Sequence, residues 1–323
     1  MLDHGDIVAE RDGVVATVLE GDDGVDDAIA LLDSAEVAAG SPVVDEAERE
    51  RLRALASGTV ERSDHWHSLL AMRGRTTAGY AGMTVPTSAG EPADADLAVA
   101  RDLRPCHPVL AVLLAGLESL ARSHTVGRLQ VWIRHAEGAD IACAKVEGYA
   151  VDRRLAVLGR PLDDEPVVVP DAPGYQVRSY RADLDDAAVV EVLRETYAGT
   201  ADAGWDLARF GERRGWSWFR PEDLLVAVDE AGRIGGLHWL KRRTAVVGEV
   251  YNLAIHPRAQ GRGLGRMLLA AGLDHLRRVG CHDVLLWVDL ANQRAVRLYT
   301  SAGFTTRWED VALSRTLHPS RPG

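Results

Sequence analysis

The strongest constraint on how this chain folds is an internal repeat. The segment LAIHPRAQGRGLGRMLLAAGLDHL, which begins at Leu253, lies over LAVARDLRPCHPVLAVLLAGLESL, which begins at Leu97, an offset of 253 − 97 = 156 residues. Further on, LLWV (285–288) lies over QVWI (130–133), and SAGF ending at Phe304 lies over VEGY ending at Tyr149, both at an offset of 155. Two matches in one order and spacing mean that a single supersecondary plan is used twice. A chain of 323 residues accommodates two such domains of about 150 residues. The copies are read as 1–162 and 174–323. Residues 163–173, within the proline- and acid-rich stretch PLDDEPVVVPDAPG, are read as a linker.

Within each copy, short β-forming segments bounded by turn signals alternate with helical periodicity. This predicts mixed α/β domains rather than an all-α or all-β fold. The chain has 48 acidic and 37 basic side chains, a net charge of −11, which excludes a general binder of nucleic acid or anionic membranes. No run approaches the roughly 20 apolar residues of a membrane span. Cys106, Cys143 and Cys281 lie far apart without a CxxC pair, so neither a zinc site nor a disulfide framework is expected and a cytoplasmic setting fits. His65 and His67 flank Trp66 with no third ligand at useful spacing and read as strand surface, not a metal site.

Against this acidic background HPRAQGRGLGRM (256–267) stands out. AVVGEVYNLAI (245–255) is rich in β-formers and ends at His256-Pro257. A loop then delivers Gly261, Gly263 and Gly265, after which Leu264, Met267, Leu268, Ala271 and Leu276 recur at helical spacing. A strand, bare loop and helix in this order leave amides uncovered at a helix N-terminus, where backbone N–H groups and the helix dipole hold phosphate. Arg258, Arg262 and Arg266 add positive charge. The spacing matches neither the P-loop nor the dinucleotide fingerprint.

The order Q-x-x-G-x-G after a strand ending in HP, followed by DLANQRAVRLYTSAGF, resembles the GNAT acetyltransferase superfamily. The resemblance implies two tandem GNAT-fold domains and acetyl-CoA as co-substrate, with no metal. It also implies that the backbone of Leu253, Ala254 and Ile255 pairs with the acetyl carbonyl and pantetheine arm. Gln260, Gly261, Arg262, Gly263, Leu264, Gly265 and Arg266 would hold the pyrophosphate, and Asn292, Gln293, Arg294, Ala295, Val296 and Arg297 would flank the arm. GWDLARFGERRGWSWFRPEDLLVAVDEAGRIGGLHWLKR followed by GEVYNLAIHP narrows this to tandem members that acetylate the cysteinyl amine of a glucosaminyl-inositol pseudodisaccharide. Such an enzyme is expected to act on this small molecule as a monomer.

Acetyl transfer from a thioester to an amine needs a neutral amine, a stabilised oxyanion and a proton for the departing thiolate. Glu249 lies in an otherwise apolar strand, where a carboxylate is costly to desolvate, and matches the glutamate that the resemblance makes the base. Tyr299 lies seven residues after Asn292, two helical turns, and is the candidate acid. The resemblance sets Lys241 and Trp287 beside the acceptor, together with Glu249, although the family more often has tyrosine at the second position. His238 and Trp239 read equally well as ordinary strand residues. The first copy departs at the loop and at the candidate acid, base and helix-start positions. RPCHPV (104–109) replaces QGRGLG, Ala93 stands opposite Glu249, Ala144 opposite Tyr299 and Glu137 opposite Asn292, so this copy is degenerate. Two other readings stay open: a GNAT enzyme for another small amine or a protein N-terminus, and a non-catalytic acyl-CoA sensor.

Overall fold

A computed structural model describes residues 7–19, 24–59, 64–88, 90–103, 107–163, 165–200 and 202–317. It divides into two compact units, residues 1–155 with 308–323, and residues 156–307.

In the first unit a sheet is built from β1 (Ile7–Arg11), β2 (Val14–Val18), β3 (Trp66–Arg73), β4 (Thr76–Thr84), β5 (Ala93–Val99) and β6 (Arg128–Ile133) in that spatial order. The Asp12-Gly13 turn joins β1 to β2 with φ of 50° and 76°, the double positive φ of a type I′ hairpin. Successive strands are antiparallel except β5 and β6, which run parallel. Period-two alternation splits β3, β4 and β5 between two cores. Leu69, Ala81 and Leu97 pack with α3 (His107–Ser123) and α4 (Gly138–Val146). Leu70, Tyr80 and Ala98 pack with α1 (Val25–Ala39) and α2 (Glu46–Ala56).

The boundary between the units falls inside two strands, β7 (Ala150–Pro161) and the last strand of the chain. The second unit orders its strands β7, β12 (Asp283–Asp289), β11 (Val247–Ile255), β10 (Ile234–Arg242), β9 (Leu224–Asp229) and β8 (Tyr175–Ser179). Its helix α7 (Leu264–Arg278) buries Leu264, Met267, Leu268, Leu273 and Leu276 in one core. The other core is aromatic, with Phe210, Trp205 and Trp239 packed among Val189 and Leu193 of α5 (Asp186–Tyr197) and beside α6 (Leu207–Arg214). Helix α8 (Gln293–Ser301) follows β12.

Two boundaries differ from those of the repeat. The first of the two units ends at 155 and the second starts at 156, ahead of the stretch read as a linker, and the core of the second takes in Leu162 and Ala172. Strand β13 (Thr305–Thr316) starts in the second unit, but from Val311↔Ile133 to Thr316↔Arg128 it pairs antiparallel with β6 of the first. Asp310 ties the return by accepting from the His135 amide at 3.0 Å and from Arg134 at 3.4 Å. Among the described residues no helix is long and apolar enough to cross a membrane.

Candidate active site

The second unit opens where β11 leaves its neighbours. β10 and β11 pair from Gly236↔Ile255 to Trp239↔Asn252 and again from Leu240↔Val250 to Arg242↔Gly248, so Tyr251 is one residue too many. A bulge of this kind bends the strand that carries it. On the other side the parallel ladder with β12 runs from Val247↔Asp283 only to Val250↔Leu286. Leu253, Ala254 and Ile255 thus run past the last β12 pair, and the backbone edge they turn that way is not taken up by that strand.

Leu253 and Ile255 line a cleft of about 940 Å³ with Gln260, Gly261, Gly263, Leu264, Gly265, Arg266, Asn292, Arg294, Ala295, Arg297 and Tyr299. Thr196, Ala259, Leu298 and Ser301 complete the lining. Ala254 alternates to the other face and is buried in the aromatic core, while Arg262, Gln293 and Val296 are not among the lining residues. Gly263 caps α7 at φ 84° with no side chain accepting from the first turn. The leading amides of the helix, which have no carbonyl four residues back, are therefore open to an anion. Arg294 donates to Gln260 Oε1 at 2.6 Å and ties the loop to α8. The cleft's positive charge comes from Arg266, Arg294 and Arg297. Arg258, expected to contribute, is held instead by Glu191 at 3.0 Å and the Ile234 carbonyl at 3.2 Å.

Asn292 caps α8, its Oδ1 accepting from the Ala295 amide at 3.1 Å. Two turns on, Tyr299 is buried against Phe304, ring centroids 5.9 Å apart. Burial pushes its phenol above the ordinary tyrosine range, so it keeps its proton at neutral pH.

A second polar group lies along β10, β11 and β12. Glu249 pairs with Lys241 and with Leu285 in the two ladders. The carboxylate does not stand alone among apolar neighbours: Arg243 donates to its Oε2 at 2.5 Å, and the same guanidinium lies 5.1 Å from the centre of the Trp287 ring. This cation offsets the desolvation of a buried carboxylate. Lys241 Nζ lies 4.7 Å from the Trp218 ring centre. Neither Glu249, Lys241 nor Trp287 is among the side chains that line the 940 Å³ cleft.

A model of the acetyltransferase (GNAT) family matches residues 188–304. A mycothiol acetyltransferase of Thermomonospora curvata is 36% identical over 254 residues, covering 77% of this chain and 82% of that protein. Its counterpart in Actinosynnema mirum is 36% identical over 283 residues, covering 86% and 91%. The chain belongs to the mycothiol acetyltransferase family. Its fold also matches a tandem GNAT protein from the clavulanic acid biosynthesis pathway, with a TM-score of 0.68 at 17% identity over 95% of this chain and 100% of that one.

Within this tandem GNAT fold the first unit is the closed counterpart. β4 and β5 pair from Gly79↔Val99 to Thr84↔Asp94 without a register shift, and the β5–β6 ladder reaches Leu97↔Ile133. Leu97, the repeat partner of Leu253, therefore has its strand neighbour. A cavity of about 430 Å³ remains, lined by Leu97, Ala98, Val99, His135 and Glu137 and by Ala35, Ala38, Ala39 and Val43. Residues 104–106 of the RPCHPV loop lie outside the described residues. Ala93 and Ala144 are fully buried.

Arg243 and Thr196 escaped the sequence reading. Arg243 had a signal, since it follows Lys241 at strand period and so falls on the same side. Thr196 had none, because nothing local links the end of α5 to a loop some 60 residues later.

Proposed function

We propose that the chain transfers the acetyl group of acetyl-CoA to the cysteinyl amine of cysteinyl-glucosaminyl-inositol (desacetylmycothiol), giving mycothiol and CoA. The observation that carries this is the juxtaposition, in one cleft, of the β11 segment beyond its last β12 pair with the uncapped N-terminus of α7. One offers backbone groups to an extended amide-bearing arm, the other offers amides and dipole to a pyrophosphate. Arg266, Arg294 and Arg297 supply counter-charge. Acetyl-CoA brings the activated acyl group, and the chain's own residues manage the protons.

The amine must reach the thioester uncharged. Glu249 accepts its proton, directly or through a water, and the hydrogen bond from Arg243 holds the carboxylate in place. Tyr299, protonated at neutral pH, donates to the leaving sulfur. Lys241 and Trp287 meet the acceptor, one as a donor to hydroxyls and the other as a wall. Measuring acetyl-CoA consumption against a panel of amines tests the assignment. The pseudodisaccharide is expected to exceed free cysteine and peptides by a wide margin in kcat/KM, because remote hydroxyl contacts contribute in the transition state. Equal rates with free cysteine or a peptide would leave an acetyltransferase with a different acceptor, and binding without turnover on any amine would leave a sensor.

A further inference from the structure

Helical threonines ordinarily settle their hydroxyl on a carbonyl one turn back. Thr300 of α8 does so, donating to the Val296 carbonyl at 2.9 Å. Thr196, in the last turn of α5, does not: its Oγ1 is buried and has no hydrogen-bond partner, and the residue lines the 940 Å³ cleft. A buried hydroxyl left unpaired is unfavourable unless a ligand completes it.

The neighbouring residue fixes where in the cleft this hydroxyl sits. Tyr197 donates from its phenol to Asn252 Oδ1 at 2.9 Å, pinning the end of α5 to the residue before Leu253. Tyr197 also feels Tyr299, one of the groups that raise its pKa after burial itself. Thr196 therefore lines the cleft next to the residue that Tyr197 ties to the Leu253 segment of β11. A neutral hydroxyl there suits a carbonyl or amide and not a phosphate.

We propose that Thr196 is a further substrate-contacting residue, its hydroxyl hydrogen-bonding the thioester carbonyl or the adjoining pantetheine amide of the acyl donor. This rests on the reading of the cleft as the acetyl-CoA site. The test compares acetyl-CoA with adenosine 3′,5′-bisphosphate, which keeps the nucleotide end of the donor and lacks the arm. Thr196→Val removes the hydroxyl at nearly constant shape and is expected to weaken acetyl-CoA about three- to tenfold, the worth of one neutral hydrogen bond, while the bisphosphate binds as before. Thr196→Ser is expected to restore acetyl-CoA affinity, and this rescue carries the test if the valine variant does not fold. Equal acetyl-CoA affinity in Thr196→Val and the parent chain, or equal weakening of both ligands, overturns the role of Thr196 and leaves the donor site standing. Failure of the parent chain to bind either ligand overturns the donor site as well.

Discussion

Besides their loop and side-chain differences, the two copies differ in one strand, regular in the first unit and bulged with a shortened parallel ladder in the second. In the first unit β5 pairs without interruption on both sides up to Leu97. In the second, the equivalent strand carries one surplus residue, Tyr251, and its parallel ladder ends at Val250. The cavity beside the first strand is about 430 Å³ and that beside the second about 940 Å³. Residue types alone would not produce this contrast. A bulge redirects the backbone, and only a redirected backbone has amides and carbonyls to spare for a ligand.

Deleting Tyr251 should therefore abolish acetyl-CoA binding and turnover by regularising the β10–β11 ladder. Retained binding in a folded deletion variant would show that the bulge is incidental. Next in size, Tyr299→Phe and Glu249→Gln should each lower kcat about 10²–10⁴-fold while leaving the Kd for acetyl-CoA unchanged. The glutamine variant should recover partly at high pH, where the amine loses its proton unaided. An unchanged kcat at neutral pH would remove the residue concerned from the mechanism.

The copies should also respond oppositely to pH. His238 and Ala81 hold the same register position, facing Leu253 and Leu97. Fully buried, His238 uses Nδ1 to donate to the Leu268 carbonyl at 2.7 Å, and its ring fills the space a Cβ on Gly272 would occupy. Burial lowers its pKa from 6.5 to about 4. Between those values the unfolded chain takes up a proton that the folded unit refuses, so the second unit loses about 3 kcal/mol of stability as the pH falls from near 6.5 to below 4. In the first unit burial pushes Asp96 up to about 7 in spite of Arg134 beside it. Its contribution runs the other way: the folded state keeps a proton that the unfolded chain releases, and stability is lost as the pH rises from about 4 to 7. Opening free energies from hydrogen exchange, read separately on α7 and on β5, would expose the opposite slopes, and parallel slopes would contradict them. The smallest effect is expected from Lys241→Ala, which should narrow the preference for the pseudodisaccharide over free cysteine by about tenfold without changing acetyl-CoA affinity. An unaltered preference would take Lys241 out of the acceptor site.

Much of the site could be read in advance because its parts are local. The run from His256 to Arg266 carries strand end, bare loop and helix start in one stretch, and Asn292 and Tyr299 are separated by whole turns of one helix. The bulge was not legible, since GEVYNLAI looks equally regular whether or not Tyr251 is paired. The return of β13 to the first unit was hidden for a related reason: VALSRT alternates well enough to add to either sheet, and the contacts that mark where it goes, such as Asp310 with Arg134 and the His135 amide, join residues far apart in sequence. Arg243 changes the reading of Glu249 from a lone carboxylate to half of an ion pair, a contact that arises only once the turn after β10 folds back.

Calorimetric titration of the full chain with acetyl-CoA tests the contrast between the copies most directly. One molecule is expected to bind per chain, and Gly263→Pro is expected to abolish that binding, because proline cannot adopt the φ of 84° at the cap of α7 and removes an amide there. Two equivalent sites per chain, or normal affinity in the Gly263→Pro variant, would contradict a single donor site at the α7 N-terminus.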